Sequence, residues 1–114
     1  VVGEVYSASN PVSLGNWIHV TATLGSDRTM QLFVNGSLIG QATASALPNF
    51  AAWTNNFIGA SPFAGNDKFR GAMDDIAVFD RVLTAGEITT LASAVTAPTI
   101  VNKSIAENST NGTN

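Results

Sequence analysis

Lys68 to Leu91 reads KFRGAMDDIAVFDRVLTAGEITTL, and it decides the fold because it joins a strand pattern to a capped helix around the adjacent acids Asp74 and Asp75. Phe69 to Phe79 is rich in apolar and β-branched residues and alternates as a half-buried strand does. With a period of two, Arg70, Asp74, Ile76 and Val78 share one face, and Met73, Asp75, Ala77 and Phe79 the other. Ile76 and Val78 make the better core face. Asp74 then lies on or at the rim of the core side, where a carboxylate requires a counter-charge or a bound cation. A bulge at Gly71 would reverse the faces before it and bring Asp75 forward instead. The strand pattern ends at Asp80-Arg81. Thr84-Ala85-Gly86-Glu87 then has the spacing of a capping box, in which a Thr hydroxyl and a Glu carboxylate each satisfy an amide at the helix start. A short helix is predicted to follow, with Ile88, Leu91 and Ala92 as its apolar stripe, ending near Ala94.

Upstream of this stretch the chain supplies partners for a sheet. Val1 to Ala8 reads as a short strand closed by the turn residues Ser9-Asn10-Pro11. Trp17 to Leu24 alternates, placing Ile18, Val20, Ala22 and Leu24 inward and Trp17, His19, Thr21 and Thr23 outward. After a turn at Gly25-Ser26-Asp27-Arg28, Met30, Leu32 and Val34 take the inward positions of the next strand. Asn35-Gly36 is the strongest hairpin signal, since a two-residue type I′ turn needs positive φ at both positions, and Leu38 to Thr43 is the return strand. Ala44 to Trp53 reads as a crossing loop, Thr54 to Ala60 as a further strand and Ser61 to Asp67 as another loop. Six short strands and one terminal helix fit an antiparallel sandwich rather than a βαβ fold.

The run F-x-G-x-M-D-D-I-A-V-F-D-R-V-L-T-x-x-E-I-x-x-L resembles the closing strand and terminal helix of laminin-G-like domains of the concanavalin-A-like superfamily. Two further blocks match in order: Asn16-Trp17-Ile18-His19-Val20-Thr21-Ala22-Thr23 with Met30-Gln31-Leu32-Phe33-Val34-Asn35-Gly36, and Asn56-Phe57-Ile58-Gly59. The resemblance covers residues 1 to 94. It implies an all-β, antiparallel jelly-roll sandwich, here the C-terminal part of a domain, with one short C-terminal helix. Residues 95 to 114 read as a linker at Thr96-Ala97-Pro98 and then TIVNKSIAENSTNGTN, which resembles the opening strand of a cadherin-like repeat. That second resemblance implies a calcium-binding role at a domain junction for Glu107. The alternative for this tail is a disordered Asn/Ser/Thr linker.

The 114 residues suffice for one small domain, and with 45% hydrophobic residues they contain enough apolar material for a core. Charged residues make up only 11%, well under the ~25% usual in globular domains, so solubility rests on Ser, Thr, Asn and Gln. A net charge of -3 with five scattered Lys and Arg argues against nucleic acid or an anionic membrane as partner. The absence of cysteine removes disulfides and thiolate metal sites, and no apolar run reaches the ~20 residues of a membrane span.

Asp74 is the first candidate for function. The resemblance implies that an acid here holds a structural Ca2+ ion together with main-chain carbonyls, whereas the alternative from the residues is an ion pair with Arg70 or Arg81. Asp75 is second. The outward face carrying Trp17, His19, Thr21, Thr23, Gln31 and Phe33 mixes aromatic and polar groups as a sugar platform does, a ring to stack on a pyranose and fixed donors and acceptors for its hydroxyls. The same aromatics also suit packing under a neighbouring loop. Trp53 and Phe63 fall on loops, where exposed aromatics either bind a ligand or anchor the loop. His19 is the only histidine, and no nucleophile elbow, phosphate loop or paired-acid glucanase strand occurs. Of the four N-x-S/T sequons, Asn35 is already explained by its hairpin. With these features, the resemblance implies a non-catalytic extracellular or cell-surface module, recognising carbohydrate or a protein ligand in adhesion and joined to neighbouring domains of a larger secreted chain. An accessory module of a polysaccharide-degrading enzyme and a spacer that binds nothing are the alternatives.

Overall fold

The computed structural model describes residues 3–49, 56–61, 63, 65 and 68–95. Their regular elements are β1 (Val20–Leu24), β2 (Thr29–Val34), β3 (Ser37–Thr43) and α1 (Ala85–Ser93). The strands form one antiparallel sheet in the order β1-β2-β3, as two successive hairpins dictate. The fold is thus mostly β with one short C-terminal helix, as the sequence predicts.

The first hairpin turns at Gly25–Arg28. The Arg28 N–H donates to the Gly25 carbonyl at 2.9 Å, and Arg28 itself adopts φ 71°. The second turns at Asn35-Gly36 with φ of 49° and 81°, the positive pair that the dipeptide predicts. Between Leu32 and Phe33 the β2–β3 register shifts by a bulge.

The pairing sorts the side chains into two faces. One carries Val20, Ala22, Leu24, Met30, Leu32, Val34, Gly40 and Ala42, the other Thr21, Thr23, Thr29, Gln31, Phe33, Leu38, Gln41 and Thr43. The first is the face expected to be inward, and the structure corrects that expectation in part. Val34 is buried and Met30 and Leu32 are half-buried, but Val20 is 55% exposed and Ala22 and Leu24 are exposed as well. The cover comes from the N-terminal segment and lies toward β3. Gly3 is close to Met30 and Ala44, and the position that a Cβ would take at Gly40 is filled by the Tyr6 carbonyl oxygen. Only a glycine admits a main chain at that distance.

The helix covers the opposite face. Thr84 caps it with both halves of the capping box: the Glu87 N–H donates to Thr84 Oγ1 at 3.3 Å and the Thr84 N–H to Glu87 Oε2 at 2.8 Å. Ile88, 1% exposed, packs with Leu83 and Phe33 as the core cluster of the described residues. Burying side chains of this size contributes roughly 1.5–3 kcal/mol each, enough to dock so short a helix. Gly36 completes the seat, since a Cβ there would lie 3.3 Å from Thr89 Cα and 3.4 Å from Ala92 Cβ. Leu91, expected in the stripe, is instead exposed, because the sheet meets the helix at the Ile88–Ala92 edge.

The long strand expected over Phe69–Phe79 is corrected. No ladder forms along it, and Arg70, Asp74, Ile76 and Val78 are all exposed. Two physical reasons apply. Asp75 adopts φ 51°, which breaks the alternation midway, and no strand of the described residues lies alongside to pair with it. A hydrogen bond from the Phe69 N–H to the Gly59 carbonyl at 2.8 Å joins this segment to residues 56–61. Those residues also lack the strand expected over Thr54–Ala60, of which 54 and 55 lie outside the described residues, and residues 3–8 cross the sheet without forming a ladder.

Candidate functional site

The face holding Thr21, Thr23, Gln31 and Phe33 divides into a packed half and an open half. Phe33, expected as a stacking ring for a ligand, is 7% exposed beneath Leu83 and Ile88. This is the packing alternative that the sequence offers for the aromatics of this face, here beneath a helix rather than a loop. His19 is half-buried, its Nδ1 is 3.4 Å from Thr21 Oγ1, and its main chain is tied to Asn35. Trp17 lies outside the strands and remains 37% exposed.

Beyond Phe33 the face opens into a shallow depression of about 340 Å³, lined by Thr23, Ser26, Asp27, Thr29, Gln31 and Val82. Strand pairing places Thr23 opposite Gln31, and the hairpin turn brings Asp27 to their end. Asp27 is fixed by its neighbour: Oδ1 accepts from the Thr29 N–H at 3.0 Å and Oδ2 from Thr29 Oγ1 at 2.8 Å. The Thr29 amide, and then its hydroxyl, hold the Asp27 carboxyl below its usual range, so it is ionised at neutral pH. Gln31 Nε2 donates to Gln41 Oε1 at 3.0 Å, which fixes the amide plane and leaves its second N–H and its oxygen directed elsewhere. Val82 supplies one apolar wall. The arrangement offers fixed hydrogen-bond partners around a small apolar patch, the chemistry of a polar ligand site. Sequence reading named Thr23 and Gln31 here but missed Asp27. The signal available was the Asp27-Arg28-Thr29 spacing, which lets an aspartate bind the main chain two residues on.

The acids Asp74 and Asp75 are both exposed, and Asp74 Oδ1 accepts from the Asp75 N–H at 2.9 Å. The ion pair expected for Asp74 with Arg70 or Arg81 is not made among the described residues. Arg81 instead grips Glu87, Nη2 to Oε1 at 2.7 Å and Nη1 to Oε2 at 2.9 Å. Among the described residues no group of three or more His, Asp or Glu side chains comes together as a metal site. Phe63 is 72% exposed, while Trp53 and Glu107 lie outside the described residues, as does the tail likened to a cadherin repeat. No helix of the described residues is long and apolar enough to cross a membrane.

Comparison with known proteins agrees with this architecture. No curated protein matches the chain. A solved structure similar to it is that of part of an S-layer domain-containing protein from Clostridium thermocellum, 33% identical, with a TM-score of 0.64. The match covers 74% of this chain but 42% of that one, so the chain spans less than half of its structural relative. The three-stranded sheet with its helix is consistent with part of a concanavalin-A-like sandwich. The profile of the laminin-G-like family, described as the concanavalin A-like lectin/glucanases superfamily, matches residues 2–89, most of the chain. The chain therefore belongs to the laminin-G-like family of that superfamily.

Proposed function

We propose that this chain is a non-catalytic binding module of a larger cell-surface protein, recognising a carbohydrate or protein ligand through the open half of its β1–β2 face. The observation that carries the reading is the division of that face: the apolar half is packed under α1, while Thr23, Asp27, Thr29 and Gln31 stay accessible around one groove. Laminin-G-like domains generally bind ligands and sit in multidomain proteins, and the S-layer domain of the structural relative supports a surface location. A non-catalytic role is supported by how three of the carboxylates are used. Glu87 caps the helix and pairs with Arg81, Glu4 accepts from the Tyr6 hydroxyl, and Asp27 is held by Thr29. A glycosidase requires two carboxyls facing one bond.

The reading includes a structural calcium ion held through Asp74, with Asp75 beside it, in the intact parent. Two carboxylates fall short of the roughly six to eight oxygens that calcium takes, so carbonyls from other segments must complete the shell. Melting the full-length chain and its Asp74→Ala variant with and without calcium tests this part: a rise confined to the unmodified protein supports it, and identical shifts remove it.

A spacer that binds nothing is the second reading, favoured by the burial of Phe33, which removes one of the two aromatic rings from the expected platform. Glycan and extracellular-protein arrays probed with the full-length chain separate the two. Saturable binding supports the module, and arrays inert under all conditions favour the spacer.

A further inference from the structure

The groove is as informative in its charge as in its shape. Among the described residues its polar wall carries one carboxylate, Asp27, and no cation lines it. Arg28, the nearest basic residue in sequence, is turned away, with Nη1 donating to the Ser45 carbonyl at 3.1 Å. Asp27 is held toward this end of the sheet by Thr29, which engages both of its oxygens. Each carboxylate oxygen still has acceptor capacity for a hydroxyl. The Thr23 hydroxyl and the Gln31 amide add further donors and acceptors, and Val82 offers a surface for C–H groups. At about 340 Å³ the space lies at the lower end of ligand sites, roughly the size of one or two sugar units.

We infer that this groove takes a neutral polyhydroxylated ligand, an uncharged sugar unit, and that Asp27 is the residue that sets its selectivity against anionic ones. The inference rests on the binding-module reading and adds the charge class of its ligand. A ligand carboxylate or sulfate seated here would face a fixed negative charge with no compensating cation. At about 4 Å, even in solvent-like surroundings, that repulsion lowers binding by roughly fivefold. Hydroxyls face an ionised acceptor instead, and hydrogen bonds to a charged group are the stronger kind.

The experiment is calorimetric or surface-plasmon titration of the full-length chain with neutral probes (cellohexaose, mannohexaose and maltohexaose) and an anionic one (hexagalacturonate), at low and high salt. Thr23→Val and Asp27→Asn are the variants, with their melting curves checked against the unmodified chain. The inference expects a neutral probe to bind at least about fivefold more tightly than the uronate, with the gap narrowing at high salt. It expects Thr23→Val to weaken neutral binding about fivefold and Asp27→Asn to close most of the neutral–anionic gap. Uronate binding as tight as neutral binding overturns the selectivity. Neutral binding that neither variant changes overturns the groove while leaving the binding module in place. Failure of every probe to bind counts against carbohydrate recognition itself, and the groove assignment falls with it.

Discussion

Asn35 holds His19 twice. Its side-chain Oδ1 accepts from the His19 N–H at 2.9 Å, and its own N–H donates to the His19 carbonyl at 2.8 Å. A single turn residue thereby supplies both halves of a strand rung just beyond the start of β1. Asn35 also sits at φ 49°, a conformation that most side chains resist. Two substitutions separate these roles. Asn35→Gly keeps the backbone freedom and loses the side-chain acceptor, an expected cost of about 1 kcal/mol. Asn35→Ala loses both, with an expected cost of about 2 kcal/mol. Urea denaturation checks the order, and equal losses would show that the positive φ carries no weight.

Phe33 and Ile88 hold the helix to the sheet. Ile88→Ala removes most of a fully buried side chain from a cluster of three and is expected to cost about 2–4 kcal/mol. Leu91→Ala, on the same helix but exposed, is expected to cost under about 1 kcal/mol. Comparable losses at the two positions would mean that α1 packs by a different edge.

Stability should carry a pH signature from Glu87. Hydrogen bonding from Arg81, and after it from the Thr84 main chain, lowers the Glu87 carboxyl from 4.5 to about 2. A carboxylate whose folded pKa is depressed contributes stability that is present above its unfolded value and lost as pH falls through the folded one. The advantage of the unmodified chain over Glu87→Gln is therefore expected to be constant above about pH 5 and to shrink between pH 4.5 and about 2. Glutamine can still serve in the capping box, so the difference reports the charge of Glu87, chiefly through its pairing with Arg81 and secondarily through Thr84. Melting temperatures across that range check it, and a gap that does not depend on pH would count against the pairing.

The elements most legible in sequence were those that local chemistry specifies alone. Asn35-Gly36 dictates its turn whatever surrounds it, and Thr84 and Glu87 dictate the start of α1 through bonds four residues long. The Phe69–Phe79 reading failed because strand propensity records fitness for a pleated, half-buried surface and becomes a strand only beside a partner. The two faces of β1 and β2 were assigned correctly as sets, but their covers were not. Nothing local to Phe33 shows that Leu83 and Ile88, some fifty residues away, will bury it. For the site, Thr23 and Gln31 followed from alternation, whereas Asp27 came from turn geometry that places its carboxylate against Thr29 and beside the groove.

Gly40 and Tyr6 show the same dependence on distant cover and yield the last prediction. The Tyr6 carbonyl occupies the position of a Cβ at Gly40, in the middle of β3, where a glycine would otherwise weaken a strand. Its presence is explained by the crossing of residues 3–6 over this face. Gly40→Ala should force the crossing segment away from the sheet at an expected cost of about 1–3 kcal/mol, although alanine alone suits a strand better than glycine. Hydrogen exchange is the decisive reading: faster exchange is expected at Met30 and its β3 partner Ala42, with the β1–β2 rungs unaffected. If Gly40→Ala stabilises the chain and leaves exchange at Met30 and Ala42 unchanged, the N-terminal segment does not lie on β3, and the cover of Met30 and Leu32 must come from elsewhere.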